Sequence, residues 1–263
     1  ALRAISTISV GVDQFNVPDL TERKINLMHT PSVLTETTAD TIFTLVLNSA
    51  RRVIEMAEMV KEGRWTRSIG VDCYGTDVNG KTIGILGMGR IGYAVAKRAY
   101  AGFGMSVLYY NDVANPMAEQ DFKARRCELD DLLAQSDFVC VVLPLLPETE
   151  KFIGKAQLQK MKPSAFLING SRGKIVDEAA LIDALQQGVI RGAGLDVFEG
   201  EPKVHPDLLT VPNVVLTPHI ASATIGTRRA MAMLAVDNLV GYLVHGKAVT
   251  PLNADRLAAQ GAR

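Results

Sequence analysis

The feature that most constrains the fold is a regular alternation of short apolar runs with helical patterns. Predicted strands cover residues 82–86, 106–110, 138–143, 165–168, 193–197 and 214–216, and predicted helices at 91–101, 129–135, 155–161 and 178–187 lie between them. Continuous apolar strands separated by helices are typical of a parallel sheet that is covered on both faces. The sequence therefore predicts an α/β fold with a doubly wound parallel sheet.

The N-terminal region does not follow this alternation. Residues 4–5 and 25–28 are predicted strands of a second unit, and we expect the closing helix at 227–243 to return to it. Two strands are too few to close a core, so we also expect part of this unit to precede Ala1. These patterns predict two domains, one at residues 36–223 and a discontinuous one at residues 1–35 and 224–263.

One long helix is predicted over residues 35–61, after a proline and before a glycine. Its first half is apolar on nearly all sides, through Ile42, Phe43, Leu45, Val46 and Leu47. A helix of this kind is buried on several sides, either in a core or against another subunit.

The charges and the cysteines argue against several classes of partner. The chain has 28 basic and 28 acidic residues, so it lacks the basic excess of nucleic-acid-binding proteins. It has no basic run suited to an anionic membrane, and its longest apolar segment, 39–50, is too short and too polar to span a bilayer. Cys73, Cys127 and Cys140 are far apart and predict no metal site. Reduced thiols fit a cytoplasmic protein.

A glycine-rich turn lies between the first predicted strand of the sheet and the helix after it. The turn reads Gly87-Met-Gly89-Arg-Ile-Gly92. In such a turn the first glycine allows the tight bend, the second lets a pyrophosphate approach the backbone, and the third lets helix and strand touch. The helix N-terminus then offers N–H groups to the phosphates. A lone match is weak, but the strand and helix around this one predict a dinucleotide site.

The end of the next strand bears on the choice between NAD and NADP. An acidic side chain there holds the ribose 2′-hydroxyl of NAD, whereas a cation accommodates the 2′-phosphate of NADP. Asn111 occupies the usual acidic position and Asp112 follows it. After Asp112 the next arginine in the sequence is Arg125. Asn111 permits either cofactor, and Asp112 would repel a phosphate only if it points inward. The sequence leaves NADH and NADPH both open.

Three polar residues follow predicted strands of the same sheet. Arg172 lies in an Asn-Gly-Ser-Arg-Gly turn, Glu201 precedes a proline, and His219 follows the last strand. Taken singly, they could be a surface arginine, an exposed loop acid and a capping or core histidine. Ligands of such sheets bind beyond the carboxyl ends of the strands, so the three together predict an active site.

This triad suits hydride transfer between a nicotinamide and a 2-keto acid. Arg172 would bind the substrate carboxylate through paired N–H groups and polarise the keto oxygen. His219 would protonate that oxygen, and Glu201 would favour the charged imidazole. In the reverse direction neutral His219 would act as the base.

The motifs resemble those of the D-isomer-specific 2-hydroxyacid dehydrogenases, over essentially the whole chain. The resemblance rests on residues 5–13, 87–92, 143–145 with 148–149, 169–173, 194–198, 201–202 and 218–219. It implies an NAD(P)-dependent oxidoreductase with a Rossmann-like dinucleotide domain and a flavodoxin-like substrate domain that is N-terminally incomplete here. It also implies a homodimer formed through the helix at 35–61, and reduction of hydroxypyruvate, glyoxylate or 2-ketogluconate.

The resemblance also implies roles for individual residues. It supports Arg172, Glu201 and His219 as the catalytic triad. It assigns the substrate carboxylate to backbone N–H groups at Val10 and Gly11. Beside the glycine turn and the residues at 111–112, it implies a cofactor lining of Thr38, Arg90, Ile91, Leu143, Pro144, Thr149, Gly170, Ser171 and Asp196.

Two other functions stay open on the sequence. Some relatives of this fold sense NAD(H) and act as transcriptional corepressors, and they can keep the triad. A chain that truly begins at Ala1 would bind nucleotide but turn over poorly. Turnover at metabolic rates would separate a metabolic enzyme from both.

Overall fold

The computed structural model describes residues 2–261, with the backbone alone for 258–261. The chain divides into two compact units: a smaller one, Ala1–Thr37 with Ser222–Arg263, and a larger one, Thr38–Ala221. The sequence patterns predicted that the chain crosses between the two units after residues 35 and 223.

The strands and helices are named in chain order. The strands are β1 Ala4–Ser6, β2 Asn26–Met28, β3 Thr82–Leu86, β4 Ser106–Tyr110, β5 Arg125–Arg126, β6 Phe138–Val141, β7 Phe166–Asn169, β8 Gly192–Leu195 and β9 Val214–Leu216. The helices are α1 Val17–Glu22, α2 Thr35–Arg51, α3 Val53–Lys61, α4 Arg90–Lys97, α5 Pro116–Phe122, α6 Leu129–Gln135, α7 Lys155–Leu158, α8 Glu178–Gln186, α9 Ile225–His245 and α10 Ala254–Gly261.

The larger unit is built on one sheet of seven strands within the described residues, in the order β5-β4-β3-β6-β7-β8-β9. Every neighbouring pair is parallel. The predicted α/β doubly wound fold is therefore confirmed. Strand β5 was not predicted, because two arginines carry no apolar periodicity.

Two apolar layers cover the faces of this sheet. Ile83, Ile85 and Tyr109 face one layer, which contains α2, α4 and α5 residues. Leu108 and Val139 face the other layer, which contains residues of α6, α7 and α8. Because successive strand residues point to opposite faces, continuous apolar strands supply both layers.

The prediction of a single helix over 35–61 was wrong. Arg52 has a φ of 53°, in the left-handed region, and separates α2 from α3. Its guanidinium binds both carboxylate oxygens of Glu55 at 2.7 and 2.6 Å and the backbone oxygen of Asp72 at 2.5 Å. The contact with Asp72, 20 residues away in sequence, is one that a helical pattern does not reveal.

Several other helix bounds differ from the sequence prediction. After α4 the chain continues as a π-helical turn, Arg98–Gly102, in place of regular helix. The missed helices α1 and α5 each follow an asparagine cap, Asn16 or Asn115, with proline in the first turn. That cap-and-proline signal was present in the sequence.

The smaller unit contains a two-stranded parallel sheet, β1 with β2, so both strands predicted here are confirmed. Asn253 ties β2 to the C-terminal segment, because its side chain accepts from Leu27 N–H at 2.9 Å and donates to Ile25 O at 3.0 Å. Asn238 of α9 similarly donates to His29 O at 3.2 Å. Side-chain amides therefore join segments that are more than 200 residues apart in sequence.

Two kinds of feature are absent from the described part of the chain. Within residues 2–261, no helix is both long enough and apolar enough to cross a membrane. The same residues contain no group of three or more His, Cys, Asp or Glu side chains arranged to hold a metal ion.

Candidate active site

The glycine-rich turn joins β3 to α4, and its three glycines differ in what a side chain at each position would meet. Gly87 has a φ of 102°, which L side chains rarely adopt. A Cβ on Gly92 would overlap the carbonyl oxygen of Gly87, so only glycine lets α4 approach the turn. A Cβ on Gly89 would meet no described atom within 4 Å. The turn is therefore closed on its protein side and open above Gly89.

The N-terminus of α4 fits a phosphate group. Gly89 is the N-cap residue and has no side chain to bond the first N–H groups of the helix, so the cap residue leaves them open. Gly89 and Arg90 are both exposed, whereas Ile91 is half-buried. Bare N–H groups and the positive end of the helix dipole form a site for an anion.

The side-chain amide of Asn111, just after β4, is hydrogen-bonded at both ends to backbone groups of the protein. Its amide oxygen accepts from Met88 N–H at 3.2 Å, and its amide nitrogen donates to Val113 O at 2.8 Å. Asp112 beside it is exposed. Asn111 therefore ties the end of β4 to the glycine turn.

Asn169, the last residue of β7, shapes the turn that contains Arg172. Its side-chain oxygen accepts from Ser171 N–H at 3.1 Å and Ser171 Oγ–H at 2.9 Å, and its amide donates to Arg172 O at 3.0 Å. The Arg172 guanidinium donates to Ser171 O at 3.0 Å, and its side chain is half-buried. Sequence reasoning missed this role of Asn169, although a polar residue ending an apolar strand was a signal.

Two glycines of this turn are required by packing. A Cβ on Gly170 would lie 2.5 Å from Cγ1 of Ile42 in α2, and a Cβ on Gly173 would overlap the backbone of Phe198. The close contact at Gly173 brings the Arg172 turn against the segment after β8. Glu201 lies in that segment, three residues beyond Phe198.

Glu201 and His219 form a direct hydrogen bond. Nδ1 of His219 lies 2.7 Å from Oε2 of Glu201, while Oε1 of Glu201 accepts from Phe198 N–H at 3.0 Å. A carboxylate can only accept, so Nδ1 carries the hydrogen and Nε2 is the nitrogen directed away from the carboxylate. The His219 side chain is 45% exposed. The pair leaves Nε2 available to exchange a proton.

A buried carboxylate anchors the backbone on both sides of His219. Asp196, with no exposed surface, accepts from Thr217 Oγ–H at 2.6 Å, Ile220 N–H at 2.8 Å and Ala221 N–H at 2.9 Å. Its backbone oxygen accepts from His219 N–H at 2.9 Å. His219 has a φ of 52°, so these bonds hold a conformation that a histidine rarely adopts. Sequence reasoning named Asp196 but missed this positioning role.

The remaining residues of the predicted cofactor lining lie in two places in the larger unit. Thr149 closes the loop after β6, because its hydroxyl donates to Pro144 O at 2.7 Å and accepts from Leu146 N–H at 2.8 Å. Leu143, in the same loop, packs against the apolar layer of α6 to α8. Thr38 is buried on α2.

The predicted substrate residues Val10 and Gly11 lie in the smaller unit, in irregular structure after β1. Both are half-buried, and Val10 O lies 3.0 Å from Nδ1 of His29. Sequence reasoning did not anticipate this contact, and nothing in the local pattern signals it.

The family profile described as "D-isomer specific 2-hydroxyacid dehydrogenase, NAD binding domain" matches residues 43–221 of the chain. The chain belongs to the D-isomer specific 2-hydroxyacid dehydrogenase family. The matched range lies within the larger unit and includes the glycine turn and all three triad residues. As a family member the chain is an NAD(P)-dependent oxidoreductase.

Named dehydrogenases of the family are similar to the chain over most of its length. Glyoxylate/hydroxypyruvate reductase B of Serratia proteamaculans is 62% identical over 92% of this chain and 75% of the relative. Its namesake in Escherichia coli (strain ATCC 8739) is 58% identical over 97% of this chain and 80% of the relative.

A solved dehydrogenase structure extends the similarity to the fold. The NADPH-dependent glyoxylate/hydroxypyruvate reductase of Sinorhizobium meliloti, crystallised with NADP and malonate, matches with a TM-score of 0.89 and 39% identity. The match covers 95% of this chain and 77% of that one.

Proposed function

We propose that this protein reduces a small 2-keto acid to the D-2-hydroxy acid, with His219 as the proton donor and Arg172 as the carboxylate-binding residue. The observation that carries the proposal is the 2.7 Å hydrogen bond between Nδ1 of His219 and Glu201. It fixes the ring with Nε2 directed away from the carboxylate, which leaves that nitrogen to donate a proton to a substrate. Bound nicotinamide cofactor supplies the hydride.

The roles of the triad follow from the charges and geometry of its side chains. Protonated His219 gives its Nε2 proton to the keto oxygen and returns to the neutral form with the Nδ1 hydrogen still held by Glu201. Arg172 lies on a turn braced by Asn169, so its guanidinium can bind a carboxylate bidentately beside the reacting carbonyl. Asp196 acts through the backbone at His219 and positions it, in addition to the cofactor contact expected of it.

The substrates we propose are glyoxylate, hydroxypyruvate and 2-ketogluconate. The two reductases B and the Sinorhizobium enzyme are named for the first two compounds, and their identities of 62%, 58% and 39% support the same class here. Val10 and Gly11 are proposed to hold the substrate carboxylate through their N–H groups, which makes the smaller unit the substrate domain. The larger unit is then the dinucleotide domain.

We further propose a homodimer formed through α3 and the segment that follows it. Most apolar side chains of α2 are buried within the chain, whereas no residue of α3 is buried. Exposed apolar side chains of this region are Val53, Ile54, Val60, Trp65, Ile69, Val71 and Tyr74, which are 41–81% exposed. A patch of this kind suits a second copy of the chain.

A cytoplasmic location completes the proposal. Cys73, Cys127 and Cys140 all form no disulfide within the described residues. Burial raises the pKa of the Cys140 thiol to about 12, which keeps it protonated and unreactive. Reduced thiols are the usual state in the cytoplasm.

The test is NAD(P)H oxidation followed by absorbance, with glyoxylate, hydroxypyruvate and 2-ketogluconate, each with NADH and with NADPH. We expect kcat of about 1–10³ per second with at least one pair. Tight binding of cofactor without turnover would contradict the proposal and favour the NAD(H)-sensing corepressor function. Ultracentrifugation of the wild type and of a Val60→Glu variant tests the dimer, since a charge in that patch should separate the protomers.

A further inference from the structure

The C-terminal end of β4 meets a cation from the neighbouring strand. Strand β5 pairs with β4 in the register Tyr109 with Arg126, and Cys127 N–H continues the ladder to Tyr109 O at 3.0 Å. Arg126 therefore reaches the loop after β4, where its Nε donates to Asn111 O at 2.9 Å and its Nη2 to Asp112 O at 2.7 Å. Strand pairing therefore brings Arg126 into contact with Asn111, which lies 15 residues earlier in the sequence.

We propose that Arg126 recognises the 2′-phosphate of NADPH, so that the enzyme prefers NADPH to NADH. The proposal deepens the proposed function, because it names the cofactor that the same nucleotide site selects. In doubly wound folds the adenosine ribose lies at the end of the strand after the glycine turn, which is β4 here. The guanidinium of Arg126 is hydrogen-bonded to the backbone just after this strand.

The side chain of Asn111 supports this choice. NAD-binding sites of this fold place a carboxylate at this position, where it accepts from the ribose 2′-hydroxyl. Asn111 has no charge, and both ends of its amide are bonded to Met88 and Val113 of the protein. The position therefore lacks the group that would favour NADH and repel a phosphate.

The donors of Arg126 are suited to the task. A guanidinium has five N–H groups, and Nε and Nη2 are used to fix it against two backbone oxygens. Nη1 makes no hydrogen bond to any residue in the described part of the chain, and the side chain is exposed. A fixed guanidinium with donors left over loses little entropy when it binds a phosphate.

Asp112 lies at the same loop and acts in the opposite direction. Arg126 bonds its backbone oxygen, so the exposed carboxylate of Asp112 is left to weaken phosphate binding. We therefore expect Asp112→Asn to strengthen binding of a 2′-phosphate and to leave binding of a 2′-hydroxyl nearly unchanged.

Arg125 provides a matched control. It is the preceding residue of β5, so its side chain points to the opposite face, where Nη2 donates to Gln135 Oε1 at 2.6 Å. Arg125→Ala and Arg126→Ala remove the same charge from neighbouring positions. Only the second removes it from the end of β4.

The experiment is calorimetric binding of adenosine 2′,5′-bisphosphate and of adenosine 5′-monophosphate to the full chain, which needs no turnover. We expect the wild type to bind the bisphosphate more tightly. Arg126→Ala should weaken the bisphosphate on the order of 10- to 100-fold and the monophosphate less than about threefold. Arg125→Ala should change neither.

Three results would overturn the proposal: equal wild-type affinities, equal losses for both ligands in Arg126→Ala, or the same loss in Arg125→Ala. Arg126→Lys keeps the charge but not the forked bonds to the backbone, so retained selectivity in it separates phosphate recognition from support of the loop. Failure of keto acid reduction with selective bisphosphate binding would contradict the proposed function and leave this inference standing.

Discussion

Helices α4 and α8 both follow strands of one parallel sheet, but their N-termini are filled differently. At α4 the N-cap is Gly89, which has no side chain to bond the first N–H groups. At α8 the N-cap is Asp177, whose carboxylate accepts from Ala180 N–H at 3.1 Å. The protein therefore supplies its own carboxylate at the N-terminus of α8 and leaves the N-terminus of α4 for the anionic group of a ligand.

The same contrast extends to the two halves of the larger unit. Around β3 and β4 the site is made by backbone, through the absence of side chains at Gly87, Gly89 and Gly92. Around β7 to β9 it is made by side chains, with Asp196 as the central acceptor for the His219 segment. A backbone site can be lost by adding one methyl group, and a side-chain site by removing one carboxylate.

The largest effect on turnover is expected at His219, in the half of the larger unit around β7 to β9. His219→Ala removes the proton donor and should lower kcat by roughly 10²–10⁴-fold. Binding of NADPH, followed by its fluorescence, should stay within twofold because the nucleotide half is untouched. His205→Ala, in an exposed loop of the same unit, is the control and should keep full activity. Equal loss of binding and turnover in His219→Ala would make the residue structural.

The next effect is expected at the anchor of the catalytic half. Asp196→Ala leaves the Thr217 hydroxyl, the Ile220 N–H and the buried Ala221 N–H without their acceptor. The cost is about 1–3 kcal/mol for each buried group left unpaired. We expect a lower melting temperature and a lower kcat together, because the residues on both sides of His219 lose the bonds that hold them in place. A variant with unchanged melting temperature would show that the anchor is dispensable.

The nucleotide half is tested by a pair of glycine substitutions. Gly92→Ala should destabilise the fold by about 1–3 kcal/mol, since its Cβ would overlap the backbone of Gly87. Gly89→Ala meets open space and should keep the wild-type melting temperature but weaken cofactor binding. Thermal denaturation and calorimetry together measure both. Similar melting temperatures for the two variants would argue against the packing role of Gly92.

The smallest effect is expected at the capped helix. Asp177→Ala should cost about 1 kcal/mol near neutral pH. The Ala180 N–H, and then Lys151, hold the pKa of Asp177 below its ordinary value. Its contribution is therefore present above the unfolded pKa of about 3.9 and is lost as the pH falls through the lower folded pKa. Urea denaturation at pH 7 and in acid should show the difference between variant and wild type shrinking.

Much of the nucleotide half could be predicted from the sequence. The apolar strands and the glycine spacing are local patterns, and they indicated the parallel sheet and the turn at Gly87 to Gly92. The choice of Arg172, Glu201 and His219 rested on position at strand ends, and Glu201 and His219 are within hydrogen-bonding distance. Their catalytic roles stay predictions.

The rest depended on contacts that sequence patterns do not encode. The break at Arg52 depends on Asp72, and the anchoring by Asp196 depends on residues 21 to 25 positions later. Sequence reasoning did not consider Arg126, which is distant in sequence from Asn111, but pairing of β4 with β5 brings the two residues together. These three features are set by strand pairing and by hydrogen bonds between residues that are far apart in sequence.

Strand β5 has one more consequence, for solubility. It is an edge of the sheet, with one neighbour, and consists only of Arg125 and Arg126. An open edge presents unpaired backbone groups on which another chain can add a strand, and short charged edges oppose that addition. Replacing Arg126 to alter cofactor choice would therefore also remove one of the two charges that oppose strand addition at this edge.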